Sequence, residues 1–163
     1  MSAITARLKL LSLNWLQLWM FLLAVAGLGV SVYLMWGYTT PGASLACGGS
    51  HGCDTVKNSP FASLLGVPLP VYGLVTYVVL LILIVMQDQT GLKERGWSPY
   101  ISLAIFGFSL AGVLYSAYLT YLELFVIQAI CRWCVASAII MVAIFGLSIP
   151  NLGNTNNQSY VEG

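Results

Sequence analysis

The sequence predicts an all-α integral membrane protein: a four-transmembrane-helix bundle with a short extracytoplasmic half-helix between the first and second spans. Three observations carry this prediction. Of 163 residues, 59% are hydrophobic and only 7% charged, against about 25% charged in a soluble globular domain. Six Lys and Arg and five Asp and Glu cannot cover a water-facing surface of this size. The apolar residues are gathered into four runs, each near the ~20 residues that a helix needs to cross hydrocarbon.

The first span runs from Leu13 to about Tyr38. Its length exceeds the ~7 to 15 apolar residues of a cleaved signal peptide, and Trp15, Trp19, Tyr33 and Trp36 are expected as interfacial or lipid-facing anchors. Residues 39–56, TTPGASLACGGSHGCDTV, are dense in loop-forming types. Asp54 is then expected to N-cap the half-helix DTVKNSPFASLLG, interrupted at Pro60 and closed by Gly66. That segment is too short to span, and irregular backbone at membrane depth is tolerated only where protein covers it.

Pro70 suits a first helical position and opens the second span, which ends at Met86. A polar turn, QDQTGLKERGWSP, leads to the third span, Tyr100 to about Leu122. The fourth runs from around Cys131 to Ile149 and is expected to close at Pro150. Residues 1–150 therefore read as one four-helix membrane domain and 151–163 as a polar C-terminal tail, too poor in apolar residues to fold alone.

A net charge of +1 gives no electrostatic grip on nucleic acid, so the lipid bilayer is the expected medium and nucleic acid is not an expected partner. Cytoplasmic flanks carry an excess of Lys and Arg. With both termini cytoplasmic, Arg7, Lys9, Lys93 and Arg95 lie inside, while Lys57 and Arg132 lie outside. The same orientation puts Cys47, Cys53, Cys131 and Cys134 together on the periplasmic or extracellular side, in an oxidising compartment.

Four cysteines with one CxxC leave disulfides, zinc and redox chemistry open. Cys131 and Cys134 sit three apart at a helix start, where unpaired N–H groups favour an anionic sulfur and Arg132 adds positive charge. The thiolate is the species that attacks a disulfide. Cys134 is expected to lie deeper, within reach of a lipid-soluble acceptor, and Cys131 to be the more exposed of the two. Cys47 and Cys53 share a loop with Gly48, Gly49 and Gly52, so a mobile outer pair could feed a fixed inner one. The alternatives are two passive disulfides in a structural membrane protein, or a metal-binding protein using Cys47, His51, Cys53 and the CxxC. No metal is expected, and His51 is read as a solvated loop residue.

The ordered set C-x5-C-D from Cys47, then SPFA from Ser59, LLGVPLPVYG from Leu64 and YLELFVIQAICRWCV from Tyr121 resembles the vitamin K epoxide reductase family and its bacterial homologues. The resemblance covers all but the termini. It implies a membrane thiol oxidoreductase that supports disulfide formation. Cys47 would exchange with a thioredoxin-like protein, Cys53 would pass electrons to Cys131, and Cys134 would meet a membrane quinone of the ubiquinone or menaquinone (vitamin K) type. Cys134 would attack the quinone and Cys131 resolve, leaving a disulfide and a quinol. With no fused thioredoxin-like domain in view, that protein is expected to be a separate chain.

Ser59, Phe61 and Tyr72 are carried over as quinone contacts beside Cys134, each with a plainer reading: a turn hydroxyl, an apolar contact, a residue facing the pocket or packing helices. Gly73 is assigned to helix packing, Asp54 to capping and Glu123 to a solvated span end. Leu69 and Ala138 are apolar where the vertebrate enzymes place polar groups, so a vitamin K epoxide reductase proper is the alternative activity rather than the leading one.

Overall fold

A computed structural model describes residues 2–40, 52–64, 66–88 and 97–159, with the backbone alone over 2–14 and 154–159 and at 64, 88 and 98. Cys47, His51, Lys93 and Arg95 lie outside the described residues. The elements are α1 (Ser2–Thr39), α2 (Gly52–Lys57), β1 (Ser63–Leu64), β2 (Val67–Pro68), α3 (Leu69–Asp88), α4 (Ser98–Tyr121), a π-helical turn (Leu122–Ile127) and α5 (Arg132–Ser159).

The four long helices are those anticipated. Stretches of 25, 19, 29 and 22 residues, with mean hydropathy between 1.7 and 2.5, are each long and apolar enough to cross a membrane. In sequence order α1 rises toward the cysteine end, α3 descends, α4 rises and α5 descends. Neighbouring helices pack as α1–α3, α3–α4, α4–α5 and α5–α1, a four-cornered bundle.

Its interior is built on Met20, Ala24, Tyr77, Leu80, Ile105 and Ile144, all fully buried. Tyr77 is admitted to an apolar core because its hydroxyl reaches the Ser137 carbonyl and Oγ, each at 3.0 Å, which satisfies a group costly to leave bare. Outside the core, Leu22, Val32, Ile82, Leu114 and Ile139 face outward. Lipid is as apolar as the core, so both faces of each helix are hydrophobic.

The end of the bundle away from the cysteines is closed by polar groups. The side-chain amides of Gln87 on α3 and Asn151 on α5 pair reciprocally at 3.2 Å, and Gln87 also donates to Ser102 Oγ of α4 at 2.9 Å. All three side chains are buried. Here the structure corrects the expected end of the fourth helix, because α5 continues through Pro150 to Ser159. A proline removes one helical hydrogen bond, and membrane helices absorb that loss when neighbours hold the helix on both sides of it; Asn151 is that hold.

The connection after the first span also departs from expectation. Asp54 lies within the first turn of the six-residue α2, where its charge suits the helix dipole, rather than at the cap. The helix does not resume toward Gly66. Turns bonded Ser59 N–H to Val56 carbonyl and Ala62 N–H to Ser59 carbonyl lead to a two-residue hairpin pairing Ser63 with Pro68 and Leu64 with Val67. Pro60 biases the preceding residue away from helix, and Gly66, at φ 80°, makes the hairpin turn that a side chain would strain.

Of the aromatic anchors, Trp15, Trp19 and Trp36 face outward. Tyr33 differs: its ring packs on Trp133 of α5 at a centroid distance of 4.9 Å, within the cluster around the cysteines.

Candidate active site

The site forms where α4 ends and α5 begins. At Leu122 the helix widens into a π turn that ends at Gln128 in left-handed geometry (φ 55°), with the backbone N–H groups of Gln128 and Ala129 both donating to the Glu123 carbonyl. Single π turns are frequent at functional sites because they re-aim side chains. Here Leu124, Phe125 and Val126 point outward while Glu123 turns inward, only 3% exposed. The expectation of a solvated span end is therefore wrong at Glu123. Its Oε2 accepts the backbone N–H of Cys131 at 3.1 Å.

Cys131 immediately precedes α5 and occupies its capping position. Its Sγ accepts the Cys134 N–H at 3.3 Å and its carbonyl accepts the Val135 N–H at 3.0 Å, as an N-cap residue does. The Cys134 thiol donating to its sulfur, with backbone N–H groups of Cys134 and Trp133, holds the Cys131 thiol below its ordinary pKa despite burial and the nearby Glu123 charge. Both sulfurs of the CxxC are free thiols. Their exposures reverse the expected order: Cys131 is 2% exposed and Cys134 half-buried. The capping position turns Cys131 into the protein, whereas Cys134, one turn on, faces a cavity.

Cys53 approaches from α2, buried and disulfide-bonded. Cys53, Val56 and Leu34 pack with Cys131 in one buried cluster, flanked by Cys134. That approach depends on Gly52, since a Cβ there would fall on the Ile130 carbonyl oxygen.

The cavity beside Cys134 takes in about 900 Å³ of space when its open mouth is counted. Leu34, Phe61, Leu69, Leu119 and Met141 supply apolar wall, and Tyr38, Tyr115 and Glu123 line it as polar groups. Ser31, Thr76 and Thr120 spend their hydroxyls on carbonyls of their own helices. Tyr115 has no such partner: its hydroxyl is the single buried side-chain N or O atom left unbonded among the described residues.

A family model for the vitamin K epoxide reductase family matches residues 18–149, which takes in the bundle, α2, the π turn and the CxxC. The chain belongs to the vitamin K epoxide reductase family. It is also 32% identical over 105 residues, 64% of its own length, to thiol-disulfide oxidoreductase LTO1 of Arabidopsis thaliana. The match covers 28% of that plant protein, so the chain spans little more than a quarter of the relative.

Of the family contacts anticipated around the quinone, Cys134 and Phe61 line the cavity. Tyr72 stands behind the wall with its ring 5.9 Å from that of Tyr115. Ser59 is outside the lining and donates to the Val56 carbonyl at 2.7 Å. Gly73 lines the cavity and also sets its Cα against Ser31, where a Cβ would meet Oγ at 3.0 Å. Cys47 lies outside the described residues. Glu123 and Tyr115 were missed. The one available signal for Glu123 was an acid eight residues before a CxxC in an otherwise uncharged apolar run, and intramembrane ionisable residues are functional candidates by default.

Proposed function

We propose that this multi-pass membrane protein is a thiol oxidoreductase that takes electrons from a thioredoxin-like protein through Cys47 and Cys53, then through Cys131 and Cys134, to a membrane quinone. The single observation that carries the reading is the division of the CxxC: Cys131 is packed with Cys53, and Cys134 lines the cavity. Two sulfurs one helical turn apart thus face two different electron partners. Their common end of the bundle is assigned to the periplasmic or extracellular side, with both termini cytoplasmic.

A quinone fits the residues present. It is an apolar ring bearing carbonyl acceptors, and the cavity pairs apolar walls with the unbonded Tyr115 hydroxyl. When bound, a quinone supplies an acceptor for two electrons and two protons. Tyr115 would hold a carbonyl oxygen, Phe61 and Leu34 would exclude water, and Cys134 would present its sulfur. On the other side, the Cys53 thiolate attacks the Cys131 sulfur of the oxidised CxxC and expels Cys134 as thiolate; Cys47 then attacks Cys53 and expels Cys131, a departure eased by its lowered pKa.

In membranes or lipid nanodiscs, Cys134→Ala should abolish quinone reduction by a reduced thioredoxin-like protein, whereas Cys47→Ala should spare reduction driven by a small dithiol. Full quinone activity in Cys134→Ala sinks the assignment. Epoxide turnover is not part of the proposal, because Leu69 lines the cavity with apolar surface. A metal-binding reading is favoured by one observation, the ligand atoms of Glu123, Cys131 and Cys134 lying within 4.8 Å of one another. Stoichiometric zinc that protects both thiols in the extracted protein would support that reading over the relay.

A further inference from the structure

A dithiol that closes to a disulfide must shed protons as well as electrons, and this one closes in a place that water and bulk buffer reach poorly. Glu123 is the acid nearest the event. Its carboxylate is buried, lines the same cavity as Cys134, and stands within 4.8 Å of both sulfurs. One oxygen is fixed by the Cys131 N–H, which leaves the other lone pairs for the thiols. No Lys or Arg is among the residues lining the cavity, so no cation there explains a buried carboxylate as an ion pair. The titratable groups around it are Tyr38 from α1, Tyr115 from α4, the Cys131 thiol that caps α5 and the Cys134 thiol within it, while α2 brings Cys53 as a disulfide.

We propose that Glu123 is the base that takes the Cys134 proton: the S–H bond breaks, the proton passes to a Glu123 carboxylate oxygen, and the resulting thiolate becomes the nucleophile. The carboxyl group then gives that proton up into the cavity and is ready for the proton of Cys131. Closing the Cys131–Cys134 disulfide releases two electrons and two protons, and all four end on the acceptor as quinol, so Glu123 finishes unchanged. This rests on the quinone reading above for the fate of the proton, but the base role concerns the thiols alone and can be read without quinone. The π turn acquires a purpose in this scheme, since it is what turns Glu123 inward beside the CxxC.

The test uses the full reduced chain in nanodiscs, with site-resolved mass spectrometry of iodoacetamide alkylation at Cys134 across pH, and quinone reduction measured in parallel. Glu123→Gln keeps an oxygen for the Cys131 N–H but cannot take a proton. The expected result is alkylation of Cys134 slowed at least about tenfold near neutral pH and restored at high pH, where hydroxide replaces the base, with kcat for quinone lowered similarly and KM little changed. Glu123→Asp keeps the acid with a shorter reach and should fall between Gln and wild type in both readouts. It also carries the test should the Gln variant fail to fold. An alkylation profile in Glu123→Gln that overlays wild type overturns the proposal, as does an Asp variant that is folded yet no better than Gln, or, if Gln does not fold, one that matches wild type. Slowed alkylation in a protein that reduces no quinone even as wild type would keep the base and remove the quinone.

Discussion

Cys131 caps α5 with its own sulfur, and the chemistry of the residue follows from that placement. Hydrogen bonds to the sulfur favour the thiolate, which lowers the pKa below its ordinary value. A lowered pKa means that the thiolate fraction saturates at lower pH, so the rate at which reduced Cys131 attacks the Cys53 disulfide, the reverse of the productive transfer, should level off below the ~8.5 of a free thiol. Rapid-quench measurement of that exchange against pH checks it, and a rate still climbing through pH ~9 would contradict it. Tyr115 gives a second residue-level prediction. Its unbonded hydroxyl contributes nothing to the ligand-free fold, so Tyr115→Phe should hold or slightly raise the melting temperature. It should also raise KM for quinone about fivefold, the worth of one hydrogen bond of about 1 kcal/mol; a lower melting temperature with unchanged KM would make the hydroxyl structural. The CxxC was readable in the sequence because its spacing alone advertises it. Tyr115 was not, since one tyrosine among nine becomes distinctive only when its hydroxyl is seen buried in the cavity wall without a partner.

At the scale of elements, α2 and the π turn do the positioning. Gly52 lets the start of α2 touch the chain just before Cys131, with no room for a side chain against the Ile130 carbonyl. Gly52→Ala should therefore slow Cys53–Cys131 exchange at least tenfold, because small misplacements of reacting atoms are costly, while quinone reduction driven by a small dithiol stays near wild type. Stopped-flow comparison of the two donors tests this, and equal loss with both would place the defect elsewhere. The spans themselves were legible from apolar run length. The π turn was not, since hydropathy reports that a helix is apolar and says nothing about an extra residue per turn that rotates Glu123 from lipid to interior. Pro150 misled for a related reason: its local rule is sound, and the tertiary hold at Asn151 overrides it.

Across the whole molecule, the two ends of the bundle carry different tasks. The Gln87–Ser102–Asn151 cluster ties α3, α4 and α5 together far along the chain from the CxxC, as interhelical polar bonds do in membrane bundles. Asn151→Leu should lower stability by about 1 kcal/mol in detergent unfolding and leave the rate of thiol exchange unchanged; coupled losses in both would show that the ends are not independent. The reactive end, by contrast, gathers Cys53, Cys131 and Cys134 into one cluster. The relay requires electrons to cross from Cys53 to Cys131. In a Cys47→Ser, Cys134→Ser chain only those two cysteines remain, and mild oxidation in membranes should join them in one intramolecular disulfide identified by peptide mass spectrometry. If the two stay separate thiols in the folded protein, the relay has no inner step and the account fails.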